Sequence, residues 1–223
     1  MKNLIIYCCI YIDSVGLLLP LIIFWILGKK LSFPGKKNIT IYFFTYFIIT
    51  SIATRIADLG YYNNYIYDVL PLVLSIILFS FFIRQFHTRY LSHVSFAILL
   101  MIVLLYILTW KNVVDIDLNA EYYLFFAIFI LINATLYFFQ EINRAHILSI
   151  YDTPQFWFIV SMAFYALASA IVWGSFEYVK SKPSVIGDLN INYFWVVTHN
   201  PILFVSCLVF STYLILRGKK LGI

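Results

Sequence analysis

Residues 91–110 read LSHVSFAILLMIVLLYILTW and contain no Asp, Glu, Lys or Arg. An apolar helix of about 20 residues is long enough to cross the hydrocarbon core of a bilayer, which is about 30 Å thick. The rest of the chain has the same character, because 63% of the 223 residues are hydrophobic and only 11% are charged. Soluble domains carry roughly 25% charged residues. The sequence therefore predicts an integral membrane protein.

Apolar stretches of similar length recur along the whole sequence. We predict an all-α bundle of seven transmembrane helices, at residues 4–27, 39–60, 66–86, 91–110, 121–140, 155–178 and 192–216. Turn-forming residues such as Gly28, Gly35 and Pro183 fall between these stretches. The connections are too short for a soluble domain, so we expect one transmembrane domain over residues 1–223. We expect the first helix to be retained, because no small-residue cleavage site follows it.

Lys and Arg are distributed unevenly between the two ends of the predicted bundle. One end carries ten of them: Lys29, Lys30, Lys36, Lys37, Arg84, Arg89, Arg144, Arg217, Lys219 and Lys220. The other end carries five: Lys2, Arg55, Lys111, Lys180 and Lys182. Because cytoplasmic loops are enriched in basic residues, we predict that the N-terminus lies outside and the C-terminus in the cytoplasm.

Aromatic residues and loop composition add to this topology. Tyr and Trp residues that we interpret as interfacial anchors on the outer side are Tyr61, Tyr62, Tyr65, Tyr67, Trp110, Tyr122, Tyr123, Tyr193 and Trp195. The predicted outer loops contain no N-x-[ST] glycosylation site, and frequent Ile, Tyr, Phe, Asn and Lys are what an AT-rich genome encodes. We therefore predict a multi-pass protein of a bacterial inner membrane.

Polar residues within the predicted helices concentrate in the outer half of the membrane. An Asp or Arg at the centre of a transmembrane helix costs about 2.5–3.5 kcal/mol on insertion scales, so it needs a partner or water. Asp13 lies near the midplane, about nine residues or roughly 14 Å into the first helix. We predict a ligand or ion pocket that opens outward and is lined by Asp13, Arg55, Asp58, Asp68, Trp173, Glu177, His199 and Asn200.

Several of these residues also have a purely structural interpretation, which the sequence leaves open. Arg55 and Asp58 are spaced i, i+3 and can form an ion pair at a helix end. Asp68 and Glu177 can be ordinary residues of the membrane interface.

The seventh helix offers a similar choice. Asn200 can satisfy the backbone group that Pro201 leaves without a hydrogen bond, and His199 can be a satisfied core residue. If Asp13 meets Arg55 or His199, they form a buried ionisable cluster whose protonation responds to outer pH or to a ligand.

The residues that are absent exclude several classes of membrane protein. Residues 192–216 contain no Lys for a retinal Schiff base, and only His199 among the four histidines lies deep in a predicted helix. Zinc sites and bis-histidine haem sites need more deep ligands than this. No GxSxG, HExxH or P-loop motif occurs. We expect no catalysis, no metal and no cofactor.

The predicted cytoplasmic end offers a basic surface. We expect it to contact a protein partner or anionic lipid. Its residues are Lys29, Lys30, Lys36, Lys37, Arg84, Arg89, Arg217, Lys219 and Lys220. No basic run is interleaved with exposed aromatics, so nucleic acid is not an expected partner. The sequence leaves a homo-oligomer open.

Scattered short features resemble one group of known proteins. They are Leu19 and Pro20 in the first helix, Asn63, Asn64 and Tyr67 around the start of the third, Pro154, Gln155, Phe156 and Trp157 at the start of the sixth, and Asn200 in the seventh. Together they resemble small seven-helix bacterial membrane proteins that accompany, or are fused to, sensor histidine kinases. The resemblance implies envelope sensing and assigns no residue a role. Because no kinase is present in this chain, the output would pass to a partner.

These observations favour one function and leave two others open. The favoured function is an inner-membrane sensory or regulatory protein without catalysis, which passes an envelope signal to a partner. A transporter or channel for a small solute or ion is the first alternative, with Asp13 and Arg55 along its path. An accessory membrane effector that forms a pore, in stress or phage defence, is the second.

Overall fold

The computed structural model describes residues 2–28, 31–59, 64–109, 120–143, 150–181 and 191–220. This part of the chain forms seven helices: α1 (Lys2–Leu27), α2 (Lys36–Asp58), α3 (Asn64–Gln85), α4 (Arg89–Thr109), α5 (Ala120–Ile142), α6 (Pro154–Ser181) and α7 (Ile191–Lys220). Each contains a stretch that is long and apolar enough to cross a membrane. The predicted all-α, seven-helix, multi-pass architecture is confirmed. The predicted turn at Pro183 lies outside the described residues.

Six of the seven helices form a closed ring. Around it, α1 packs against α2, α2 against α3, α3 against α5, α5 against α6, α6 against α7, and α7 against α1. Helix α4 lies outside this ring and packs against α3 and α5. Its membrane-spanning window is only 28% buried, against 50% for α5. Helix α4 therefore leaves the largest share of its span to lipid, while the other six helices enclose an interior.

The first and last helices close the ring by running side by side in the same direction. Near their starts, the Asn200 side-chain amide donates a hydrogen bond to the Cys9 carbonyl, at 3.0 Å. Near their ends, Gly218 packs against the Leu27 side chain. The contacts therefore follow the same order along α1 and α7, as they do in a parallel pair of helices. Below, the N-terminal end of the bundle is the end at which α1 and α7 begin, and the C-terminal end is the opposite one.

A glycine sets how closely α1 and α7 approach. A Cβ atom built on Gly16 would lie 3.0 Å from the Phe204 Cα atom, which belongs to the α7 backbone. Small residues at such positions allow the close packing that holds transmembrane helices together. A larger residue at position 16 must therefore push the two helices apart.

The C-terminal half of the ring interior is filled by aromatic side chains. Phe158 of α6 packs against Phe81 of α3 with ring centroids 5.1 Å apart, and against Phe210 of α7 at 5.5 Å. Phe43 of α2 stacks on Phe210 at 5.9 Å. The rings of Phe81, Phe158 and Phe210 are almost completely buried. Four helices are thus joined at this level by edge-to-face and stacked rings, the arrangements that aromatic pairs prefer.

Side-chain amides on α5 satisfy polar groups of the neighbouring helices. Gln140 accepts a hydrogen bond from the His87 backbone N–H at 2.8 Å and donates one to the Gln85 carbonyl at 3.1 Å. It thereby caps the end of α3. Asn133 accepts a hydrogen bond from the Ser95 hydroxyl of α4. These bonds remove the cost of leaving backbone and side-chain polar groups unpaired within hydrocarbon.

We predict that Gly16→Ala destabilises the bundle by about 1–3 kcal/mol, as overpacked substitutions do. Gly174→Ala is the matched control, because Gly174 is also helical and nothing lies within 4 Å of a Cβ built there. The measurement is reversible unfolding in mixed detergent–SDS micelles. Equal stability of the two variants would contradict the close α1–α7 contact.

Candidate functional site

A chain of hydrogen bonds crosses the ring interior in its N-terminal half. The Tyr165 hydroxyl of α6 lies 2.8 Å from His199 Nε2 of α7 and 3.3 Å from the Tyr46 hydroxyl of α2. All three side chains are buried. The Tyr165 hydroxyl has one hydrogen to donate, so it can donate to at most one of these two neighbours. Three helices are therefore linked through a single hydroxyl group.

Aromatic rings surround His199. The ring centroids of Trp173 and Tyr165 each lie 5.4 Å from the imidazole centroid, and that of Tyr123 lies 5.9 Å away. Tyr123 stacks on Trp173 with centroids 4.5 Å apart. His199 is thus held among α5, α6 and its own helix. Two predicted site residues, Trp173 and His199, lie in contact.

Tyr123 also connects this aromatic group to α3. Its hydroxyl donates a hydrogen bond to the Tyr67 backbone carbonyl, at 3.0 Å. In a regular helix that carbonyl would accept the N–H of residue 71, but residue 71 is a proline and has none. Tyr123 therefore supplies the hydrogen bond that Pro71 removes, as burial within hydrocarbon requires.

Asp13 of α1 lies beside the same chain of hydrogen bonds. It is buried, with 6% of its surface exposed. Its carboxyl group accepts hydrogen bonds from the Ser14 backbone N–H at 2.6 Å and from the Ser14 hydroxyl at 3.3 Å. It also interacts electrostatically with Tyr67, Tyr165 and Cys207. Asp13 and His199 are therefore linked indirectly, because Tyr165 interacts electrostatically with Asp13 and is hydrogen-bonded to His199.

Asn200 holds the helix that carries His199 against the helix that carries Asp13. Its amide donates to the Cys9 carbonyl, one turn before Asp13. The partner is thus on α1 rather than on the segment of α7 next to Pro201. Of the eight predicted pocket residues, Asp13, Trp173, His199 and Asn200 belong to this region.

Of the remaining predicted pocket residues, Arg55 and Asp58 lie apart from it. Arg55 and Asp58 are exposed and form no ion pair with each other. Asp68 is half-buried and interacts electrostatically with Tyr106 and Tyr123. Asp68 therefore lies at the edge of the aromatic group around His199. The side chain of Glu177 lies outside the described residues.

Four tyrosines of the region were not predicted as site residues. Tyr67 and Tyr123 were interpreted as interfacial anchors, but both are buried, at 8% and 4% exposure. That interpretation is wrong for these two residues, and also for Tyr122, which is 1% exposed. The sequence analysis assigned no role to Tyr46 or Tyr165, although each places a hydroxyl in the middle of an apolar stretch. Because a buried hydroxyl usually finds a partner, a tyrosine at mid-helix depth was the available signal.

The basic residues predicted to contact a partner occupy the C-terminal end of the bundle. Lys36 is engaged within the chain, since its ammonium group donates to the Gly28 carbonyl and lies 5.8 Å from the Phe24 ring centroid. The exposed residues are Lys37, Arg84 and Arg89, and Arg217 is half-buried. Lys29 and Lys30, and the side chains of Lys219 and Lys220, lie outside the described residues.

Comparisons with known proteins identify no relative. No protein-family model matches the chain, and neither a curated protein nor a solved structure matches it. The resemblance to seven-helix partners of sensor kinases therefore stays a prediction. Within the described residues, no group of three or more His, Cys, Asp and Glu side chains is placed to hold a metal ion. Any functional assignment rests on the buried region around Asp13, Tyr165 and His199.

We predict that Tyr123→Phe destabilises the protein by about 1–3 kcal/mol, because the Tyr67 carbonyl loses its hydrogen bond while remaining buried. Tyr42→Phe is the control. Tyr42 is equally buried, and its hydroxyl has no hydrogen-bond partner in the described part of the chain. The free energy of unfolding of both variants, measured in the same micelles, makes the comparison. If Tyr42→Phe lowers the free energy of unfolding as much as Tyr123→Phe does, the result contradicts a stabilising hydrogen bond between Tyr123 and the Tyr67 carbonyl.

Proposed function

We propose that this chain is a sensory or regulatory membrane protein without catalysis. A signal received at the N-terminal end of the bundle would rearrange the helices and reach a partner protein at the C-terminal end. The charge distribution supports an N-terminal end outside the cell and a C-terminal end in the cytoplasm of a bacterium. The single observation that carries the proposal is the buried hydrogen-bonded chain of Tyr46, Tyr165 and His199.

This chain of hydrogen bonds has two alternative directions. In one, Tyr46 donates to Tyr165, and Tyr165 donates to an unprotonated His199 Nε2. In the other, His199 Nε2 carries the hydrogen and donates to Tyr165, which donates to Tyr46. Because the three residues belong to α2, α6 and α7, any reversal changes the contacts of three helices together. Signalling proteins need such a two-state element, biased by a local charge change.

The aromatic packing at the C-terminal half favours a helix rearrangement over a continuous path for solutes. Phe43, Phe81, Phe158 and Phe210 join four helices across the ring interior. Such rings transmit a displacement of one helix to the others, because packed interiors resist compression. A solute would have to separate them before it could cross.

Transport of a proton or small solute is a second candidate. Chains of acidic residues and histidines within transmembrane helices often act as proton relays, and Asp13 and His199 both lie beside Tyr165. Purified protein in liposomes loaded with a pH-sensitive dye tests this alternative. A flux that Tyr165→Phe abolishes would favour transport over signalling.

The exposed basic residues support a partner at the C-terminal end. Lys37, Arg84 and Arg89 stand on α2, α3 and α4 and are open to contact. Acidic segments of a cytoplasmic protein, or anionic lipid headgroups, complement such a surface.

We predict that Tyr165→Phe changes the arrangement of the helices at the C-terminal end, because it removes both hydrogen bonds of the chain. Spin labels at Ile83 of α3 and Leu216 of α7, which are both exposed, report the distance across the bundle by electron paramagnetic resonance. The background lacks the three native cysteines. We expect a shift of about 1–2 Å or more, the scale of helix movements in switching proteins.

Tyr42→Phe serves as the control, since it removes a buried hydroxyl that makes no hydrogen bond in the described residues. It should leave the distance unchanged. If Tyr165→Phe also leaves the distance distribution unchanged in a folded protein, the cluster does not control the C-terminal end and the proposed function fails.

A further inference from the structure

We infer that Asp13 is a proton-binding site and that protonation of its carboxylate is the signal that the bundle detects. The inference rests on the proposed function and specifies its stimulus. The step is a simple acid–base reaction. A hydronium ion that arrives from water at the N-terminal end transfers its proton to a carboxylate oxygen, which leaves a neutral carboxylic acid and water.

No ion pair joins Asp13 to a basic side chain among the residues that the structure describes. Within the same residues, the neighbouring Ser14 donates the hydrogen bonds to its carboxyl group. The charged residue types that are buried among the described residues are Asp13 and His199 alone, and no Lys or Arg joins them. The region therefore contains an acid with no permanent positive charge beside it.

Among the described residues, the titratable groups that face Asp13 from the packed helices carry no permanent positive charge. Those that interact with it electrostatically are Tyr67 of α3, Tyr165 of α6 and Cys207 of α7. The buried titratable residues on α2 are Tyr42 and Tyr46, that on α5 nearest the cluster is Tyr123, and His199 follows Tyr165. None of the tyrosines or the cysteine compensates a carboxylate.

An uncompensated charge within hydrocarbon is unstable, so the site must bind a cation or a proton. An isolated carboxylate in an apolar environment usually becomes neutral by protonation rather than remaining charged. Protonation removes the negative charge next to Tyr165, and this changes which direction of the Tyr46–Tyr165–His199 chain is favoured. One proton is thereby coupled to the element that links α2, α6 and α7.

A proton fits the surroundings of Asp13 better than a metal ion does. Hard metal cations take about six or more oxygen ligands. Apart from the carboxylate itself, the oxygen hydrogen-bonded to it is the Ser14 hydroxyl at 3.3 Å. No group of three potential metal-ligating side chains occurs in the described ranges. A proton needs one oxygen atom only.

The test is infrared titration of the whole chain in lipid nanodiscs, in choline chloride, with the carbonyl stretch of a protonated carboxyl group as readout. The chain contains ten Asp and Glu residues, and each gives such a band when it is protonated. The readout is therefore the component of the band that appears in the wild type as the pH falls and that Asp13→Asn removes. Asp58→Asn is the matched control, because Asp58 is an exposed carboxylate at the end of α2. The Asp58→Asn variant should keep the component that Asp13→Asn removes.

Ser14→Ala gives an independent assignment that does not depend on removing the acid. It deletes a hydrogen bond to the Asp13 carboxyl group, so the band should persist at a shifted frequency. Carboxyl bands of Asp13→Asn that match those of the wild type at every pH would overturn the inference. Loss of the band on replacing choline with sodium at constant pH would also overturn it, in favour of a metal cation.

The infrared experiment tests proton binding and the spin-label experiment tests signalling, so either proposal can fail without the other. A carboxyl band at Asp13 without any effect of Tyr165→Phe on the C-terminal distance supports proton binding and rejects signalling. A distance change caused by Tyr165→Phe, with no titrating band at Asp13, supports signalling and rejects the proton as its stimulus.

Discussion

The structure depends on one constraint: hydrocarbon offers no hydrogen bonds, so each backbone polar group within the bundle must find a partner inside the protein. Tyr123 binds the Tyr67 carbonyl that Pro71 leaves open. Asn200 binds the Cys9 carbonyl across the α1–α7 contact. These bonds join helices that are distant in sequence. The need to satisfy polar groups thus helps to close six helices into a ring.

The same constraint divides the ring interior into two halves with different chemistry. The N-terminal half holds Asp13, His199 and the tyrosine hydroxyls between them, while the C-terminal half is filled by phenylalanine rings such as Phe158 and Phe210. A charge change in the polar half alters hydrogen bonds on several helices. The phenylalanine rings belong to the same helices, so a displacement of the helices in the polar half is transmitted to the aromatic half. This division is the physical reason for preferring a switch to an open path.

The sequence was sufficient for the helices but not for their arrangement. A stretch of about 20 apolar residues identifies a transmembrane helix without reference to its neighbours, and the depths of Asp13 and His199 follow from counting residues. The sequence does not show which helices are neighbours, because a helix such as α3 is apolar on all faces and reveals no packing surface. Tyr123 was misinterpreted for the same reason: a tyrosine near a helix end has the same sequence signature whether it meets lipid headgroups or a buried carbonyl.

The parallel contact of α1 and α7 places Asp13 and His199 in the same half of the bundle, so it is the most direct test of the account. A Cβ atom at position 16 would lie 3.5 Å from the Phe204 Cβ atom, and the helices need to separate by only a few tenths of an ångström to admit it. The pair then stays within the range of about 3.5–4.5 Å that a disulfide spans. In a chain without native cysteines, Gly16→Cys with Phe204→Cys should cross-link on mild oxidation, as peptide mass spectrometry detects. Failure of this pair to cross-link in the folded protein would contradict the closed ring and the site within it.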